Sequence, residues 1–228
     1  MKISEVFPSI QGEGVLAGVP SLFIRASGCN LRCVWCDTPY TSWQPEGEDW
    51  TVERLLEWVA GFPRYRHVVL TGGEPMLFEE IERLSRELAA RGLHTTIETA
   101  GTVFRQVACH LMSISPKLAN STPREREGGR WAAAHDRLRY QPEVLWRLMS
   151  GYEYQFKFVV KDPPDLDEVK QVVKEIGVDA KRVLLMPEGV DPGQLQARSQ
   201  WIVEACKAEG YRFSPRLHVM IWGNKRGV

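Results

Sequence analysis

Short apolar runs rich in β-branched residues recur along this chain, and segments with an apolar residue every three or four positions lie between several of them. The runs fall near 22–26 (LFIRA), 67–71 (HVVLT), 94–98 (HTTIE), 111–115 (LMSIS), 155–160 (QFKFVV) and 182–186 (RVLLM). Each is short enough for a strand and apolar enough to be covered on at least one face. The intervening segments 51–60, 78–91, 165–176 and 193–209 have the period of amphipathic helices. Asp165 opens one of them with an acidic first turn, and Thr51 is a weaker cap for another. Alternation of this kind predicts an α/β fold: a partial, open (β/α) barrel of about six parallel strands, with its chemistry at the C-terminal ends of the strands.

A length of 228 residues suits one domain spanning 1–228. The stretch 119–140 (ANSTPREREGGRWAAAHDRLRY) breaks the alternation. It is Gly- and charge-rich and longer than the usual connection of about 4 to 6 residues, so it reads as an insertion or lid. Lys+Arg and Asp+Glu both number 29, which removes the bulk attraction that a polyanion binder would use, and no direct nucleic-acid partner is expected. No segment approaches the roughly 20 apolar residues that span a bilayer, and the opening MKISEVFPSIQGEG lacks the basic-then-apolar pattern of a secretory leader. A cytoplasmic protein without membrane contact is expected.

Five cysteines are present, and Cys29, Cys33 and Cys36 form C-x3-C-x2-C directly after the first apolar run and its Ser27-Gly28 turn. Three thiols within eight residues are too close for a disulfide framework and point to metal ligation. Three thiolates satisfy three irons of a 4Fe-4S cubane and leave the fourth open to a small molecule. A structural zinc site wants four ligands, and Asp37, the nearest local candidate, is a hard donor poorly matched to thiolates. Cys109 and Cys206 sit in apolar or helix-like settings and are expected to pack in the core. Neither a G-x-S-x-G elbow nor a G-x4-G-K-[ST] loop occurs.

With Thr71-Gly72-Gly73-Glu74-Pro75 following the second run, the cysteine motif resembles that of the radical S-adenosylmethionine (SAM) superfamily. Within it the chain is similar to the 7-carboxy-7-deazaguanine synthases nearly end to end. The resemblance is carried by Phe7-Pro8-Ser9-Ile10-Gln11-Gly12-Glu13-Gly14, Phe23-Ile24-Arg25, Cys36-Asp37-Thr38, Ile97-Glu98-Thr99-Ala100-Gly101-Thr102, Ser115-Pro116-Lys117, Leu217-His218 and Trp222-Gly223-Asn224-Lys225-Arg226-Gly227-Val228.

The resemblance implies a 4Fe-4S cluster on Cys29, Cys33 and Cys36, and a SAM site lined by Trp35, Cys36, Asp37, Gly73, Ser115, Pro116 and Lys117. Glu74 is suited to an ammonium group, and the preceding Gly pair to close backbone approach. It further implies Mg2+ at Thr38, and a substrate site at Ile10, Gln11, Gly12, Glu13, Arg25, Thr71 and His218. Gln11 and Glu13 can meet the donor–acceptor edge of a pterin, and Arg25 can clamp a carboxylate.

The implied reaction converts 6-carboxy-5,6,7,8-tetrahydropterin to 7-carboxy-7-deazaguanine with loss of ammonia, on the route to queuosine and other 7-deazapurines. A radical derived from SAM starts it, and the residues themselves need form no ordinary acid–base dyad. An electron donor such as flavodoxin or ferredoxin and a homodimer are implied as partners. Ten residues follow His218, and no role is assigned to the Val228 carboxylate. Two other readings stay open: another radical SAM enzyme such as a glycyl-radical activase, and an electron-transfer or zinc-binding module without turnover.

Overall fold

In the computed structural model, which describes residues 1–228, every one of the six apolar runs is a strand. In chain order the strands are β1 Lys2–Ile10, β2 Pro20–Ala26, β3 Glu48–Asp49, β4 His67–Gly72, β5 His94–Thr99, β6 Leu111–Ile114, β7 Tyr154–Val160, β8 Val183–Pro187 and β9 Arg212–Phe213. The helices are α1 Pro39–Ser42, α2 Val52–Ala60, α3 Glu80–Ala90, α4 Ala132–Leu138, α5 Pro142–Gly151, α6 Asp165–Ile176, α7 Pro192–Glu209 and α8 Leu217–Trp222. One sheet holds all nine strands in the order β3-β1-β2-β4-β5-β6-β7-β8-β9. From β2 to β9 every pairing is parallel, whereas β1 and β3 run antiparallel at one edge. The sheet does not close, in agreement with the expected open barrel.

Three strands exceed the predicted six, and each has a physical reason for being hard to read. β1 (KISEVFPSI) contains Pro8, which removes a ladder donor. It is tolerated because β3 pairs only with Lys2 and Ile3, leaving that edge of β1 free further along. β3 and β9 are two residues long and carry no periodicity.

Along each parallel strand the side chains divide between two environments, as the period of two demands. Leu22, Ile24, Val68, Leu70, Ile97, Met112, Ile114, Phe156, Phe158, Val160, Val183 and Leu185 belong to one large buried cluster shared with the helices. Their alternates Phe23, Arg25, Thr71, Glu98, Lys157, Val159 and Met186 line the interior cavity. The parallel register sets Arg25 opposite Thr71, and Glu98 opposite Ser113. Phe7 and Phe23 stack at 5.1 Å and form, with Val69, a small apolar floor on that inner side.

At the opposite, N-terminal ends of the strands, His67 is buried between β2 and β5. The Ser21 hydroxyl donates to the Val19 carbonyl, so it accepts from His67 Nδ1–H at 2.7 Å, and His67 Nε2 accepts from Thr96 Oγ1 at 2.8 Å. Acceptance at Nε2 corresponds to the neutral imidazole that burial favours. Burial, and then the neighbouring His94 and His110, lower the His67 pKa to about 4. The unfolded chain therefore binds the extra proton first as pH falls below the ordinary histidine value, and stability from this site is lost between about 6.5 and about 4. The melting temperature is expected to fall on acidification through that window, and His67→Gln to flatten the slope there. An unchanged slope in the variant would place the acid sensitivity elsewhere.

Candidate active site

The cavity at the C-terminal strand ends has a volume of about 450 Å3, a size that suits small molecules. One wall is the turn after β1. Gln11 is buried, with its Oε1 accepting from the Glu13 N–H at 3.1 Å and its Nε2 donating to Glu98 Oε1 at 3.2 Å. Thr71 Oγ1 donates to the other Glu98 oxygen at 2.8 Å. Gly12 is pressed against His218, where an added Cβ would lie 2.0 Å from Nδ1. Its carbonyl accepts from Leu217 N–H at 2.9 Å. Ile10, Gln11, Gly12, Glu13, Arg25, Thr71 and His218, scattered through the sequence, thus line one space.

Glu13 lies between two buried cations. Lys157 Nζ donates to Oε2, and Arg216 Nε donates to Oε1 at 3.1 Å. Burial alone would raise the Glu13 pKa, but Lys157 and Arg216 outweigh it and hold the carboxyl well below the usual range. Burial would likewise depress Lys157, yet Glu13 and then Glu98 keep it raised and charged. Arg216 also donates to the Asp37 carboxylate, which it holds low against the effect of burial. Burial lowers His218 and favours its neutral form.

Lys157, Glu98 and Arg216 are not among the site residues expected from the sequence. A signal for Lys157 and Glu98 does exist there: each is an inward alternate, at the middle of β7 and near the C-terminal end of β5. Arg216 has none beyond standing before Leu217-His218.

Arg25 is oriented by its Nε, which donates to Glu5 Oε1 at 2.7 Å, while Tyr40 donates to the same oxygen at 2.9 Å. Its two Nη groups have no hydrogen-bond partner within the chain and are free for an anionic ligand.

Cys29, Cys33 and Cys36 line the far end of the cavity with Trp35, Asp37, Thr38, Gly73, Ser115 and Lys117. Their loop is held from behind. Val34 N–H donates to Ser121 O at 2.8 Å, Arg32 N–H to His135 Nδ1 at 3.1 Å, and Trp35 Nε1 to Asn120 O at 3.1 Å. His135 Nδ1 accepts, so Nε2 carries the proton and donates to Ser121 Oγ at 2.8 Å.

Residues 119–140 supply these contacts and none of the cavity lining. The segment buttresses the cysteine loop. Residues Asn224–Val228 reach the cavity instead, with Arg226 stacked 3.7 Å from the Tyr40 ring centroid.

Two expected SAM-site side chains are placed differently. Glu74 is fully buried and does not line the cavity; its carboxylate accepts from Met76 N, Thr99 Oγ1 and Ala100 N at 3.1, 2.8 and 2.8 Å. These three donors anchor the turn after β4, and Oε2, with a single donor, keeps acceptor capacity. Pro116 also lies outside the lining, between Ser115 and Lys117, whose side chains hydrogen bond at 2.8 Å. The Gly pair does permit close approach, since a Cβ on Gly73 would lie 2.2 Å from the Gly28 carbonyl oxygen.

A donor set of three thiols suits an iron–sulfur cluster. No group of His, Cys, Asp or Glu side chains converges to hold a single metal ion. In a cubane each thiolate takes a separate iron, so the sulfurs stand further apart. Burial, and then the Glu74 charge, push the Cys29 thiol up to about 12, and burial pushes Cys33 up as well. Only bound metal would keep these sulfurs deprotonated at neutral pH. Cys206 is part of the large core and Cys109 packs against it, both remote from the site as expected.

Comparison with known proteins places these features in context. Residues 23–118 match the family model described as the radical SAM superfamily. The 7-carboxy-7-deazaguanine synthase of Halobacterium salinarum is 44% identical over 98% of this chain and 91% of its own length. That of Rhodopirellula baltica is 45% identical over 99% of this chain and 88% of its own. The crystal structure of QueE from Escherichia coli superposes with a TM-score of 0.70 at 27% identity, covering 95% of this chain and 94% of that one.

Replacing Cys29, Cys33 or Cys36 with Ala is expected to abolish the visible iron–sulfur absorption band of the anaerobically reconstituted protein, whereas Cys109→Ala and Cys206→Ala retain it. A triple Cys29/Cys33/Cys36→Ala variant that still binds four irons would refute the ligand set. Gly73→Ala, forced against the Gly28 carbonyl, is expected to lower both the melting temperature and the iron content.

Proposed function

The chain belongs to the 7-carboxy-7-deazaguanine synthases, lyases of the radical SAM superfamily, and from that membership we propose how its cavity carries out ring contraction. The substrate is 6-carboxy-5,6,7,8-tetrahydropterin, which loses ammonia to give 7-carboxy-7-deazaguanine. The observation that carries this reading is the union in one cavity of a polar edge reader, a guanidinium with both Nη groups unpaired and the three thiols.

Glu13, kept ionised by Lys157 and Arg216, accepts hydrogen bonds from the amino-pyrimidinone edge of the pterin. Gln11 and Glu98 extend that edge, and Thr71 fixes the Glu98 carboxylate. Arg25 offers its unpaired Nη groups to the substrate carboxylate. Phe7 and Phe23 line the same cavity and present flat apolar surface to a flat ring. When bound, the cluster and SAM supply hydrogen-atom abstraction. Trp35, Asp37, Gly73, Ser115 and Lys117 hold SAM at the cysteine end, and the residues otherwise orient the ring and exclude water.

Thr38 is the site for Mg2+. Its hydroxyl lies 3.8 Å from Cys36 Sγ and lines the cavity, where a magnesium ion can keep most of its shell as water and substrate oxygen. A flavodoxin- or ferredoxin-type electron donor and assembly as a homodimer complete the proposal and rest on the family resemblance. No helix is long and apolar enough to cross a membrane.

Anaerobic incubation with SAM, reductant, Mg2+ and the carboxytetrahydropterin, read by mass spectrometry, is expected to yield 7-carboxy-7-deazaguanine. Loss of one charge-assisted contact costs about 1.5–3 kcal/mol, or roughly ten- to more than a hundredfold in affinity. Arg25→Ala and Gln11→Ala should weaken pterin binding on that scale while slow abortive SAM cleavage persists. Variants that lost SAM binding and bound pterin normally would overturn the assignment. Thr38→Ala should blunt the dependence of rate on added Mg2+ with cluster content unchanged; full magnesium activation in the variant would move the ion elsewhere.

A further inference from the structure

Three segments distant in sequence meet on one guanidinium. Arg216, in the bend between β9 and α8, has a side chain only 6% exposed. Its Nε donates to Glu13 Oε1 at 3.1 Å, its Nη2 to Asp37 Oδ2 and its Nη1 to the Gly189 carbonyl. Glu13 belongs to the turn that reads the pterin edge, and Asp37 directly follows the third cysteine. Arg216 is the one side chain hydrogen bonded to both, and no direct hydrogen bond joins residues 10–14 to residues 29–38. Its neighbours tighten the attachment: Leu217 N–H donates to Gly12 O at 2.9 Å, and Ser214 Oγ accepts from Gly14 N–H at 2.8 Å.

We propose that Arg216 is a positioning residue that holds the pterin-reading turn in register with the cysteine loop, and so keeps radical formation coupled to attack on the substrate. The inference rests on the pterin reading of Glu13. Hydrogen transfer requires the reacting atoms about 3–3.5 Å apart, and a displacement of about 1 Å can cost a hundredfold in rate. Pterin and SAM are held by different segments, so their separation depends on whatever ties those segments together.

A planar guanidinium fork is well matched to such a link, because it presents its donors in fixed directions to two carboxylates and a carbonyl at once. A lysine keeps the charge but is a point donor on a flexible stem, and cannot reproduce that span. Lys157 differs, since its ion pairs are with Glu13 and Glu98 on the pterin side alone.

The test uses anaerobically reconstituted holoenzyme carrying Arg216→Lys, Asp37→Asn, or both. Iron content, pterin affinity by calorimetry and the ratio of released 5'-deoxyadenosine to 7-carboxy-7-deazaguanine are measured. The ratio of the wild-type protein, measured in parallel, is the reference. Each single variant is expected to keep wild-type iron content and raise the ratio by roughly tenfold or more, the scale set by one charge-assisted contact. The double variant should be little worse than either single one, as two ends of the same link require.

A wild-type ratio in Arg216→Lys, even with a lowered melting temperature, would reduce the residue to a structural ion pair and overturn the proposal. Multiplied effects in the double variant would overturn it as well. If Arg216→Lys fails to fold, Arg216→Gln decides, since a neutral amide cannot span two carboxylates and a carbonyl and must uncouple. Wild-type protein that forms no 7-carboxy-7-deazaguanine would instead overturn the pterin reading itself.

Discussion

The strand period of two governs this molecule. Each parallel strand sends one set of side chains beneath the helices and the other into an interior that an open sheet leaves accessible. The first set is apolar because it must pack to interior density. The second is free to be polar from mid-strand to the C-terminal ends, where Arg25, Thr71, Glu98 and Lys157 stand. Fold stability and chemistry are thereby assigned to alternate residues of the same strands. A one-residue slip in register would exchange them.

Charges placed in such an interior are desolvated, and the site depends on how they are paired. Lys157, Glu13, Arg216 and Asp37 form a continuous chain of alternating sign that runs from the buried Lys157 to the partly exposed Asp37. Unpaired, any member would shift its pKa or be costly to bury. Paired, the carboxylates stay ionised and fixed, so their remaining lone pairs face a ligand without reorganisation. Arg25 departs from this arrangement in that only its Nε is engaged, by a carboxylate outside the interior chain.

The cysteine loop solves a different problem. A loop of this kind carries few ladder hydrogen bonds, and 119–140 supplies replacements through Ser121, His135 and Asn120. The Gly73 turn closes on it from the other side, with Glu74 N–H donating to the Gly28 carbonyl at 2.8 Å. Glu74 thus contributes to the site through its backbone, while its carboxylate accepts from β5 and the turn beyond.

The motif residues of the cavity were legible through the family resemblance, whereas local chemistry was enough for the six core strands, four of the helices and the thiol cluster. In the latter cases the information is a spacing of two, three or four residues, and short-range sterics and burial translate it directly. β1, with Pro8 and a half-exposed pattern, escaped because its edge position is a property of the sheet. Lys157 hides in QFKFVV, where apolar neighbours suggest a core strand until the inward face is known to be a cavity. The segment 119–140 has the composition of a lid, and only its packing shows that it lies behind the cysteines. Arg216 and Glu13, 203 residues apart, share a bond that no local pattern encodes. Such contacts arise when the sheet brings its first and last segments to the same mouth, so they belong to the tertiary structure alone.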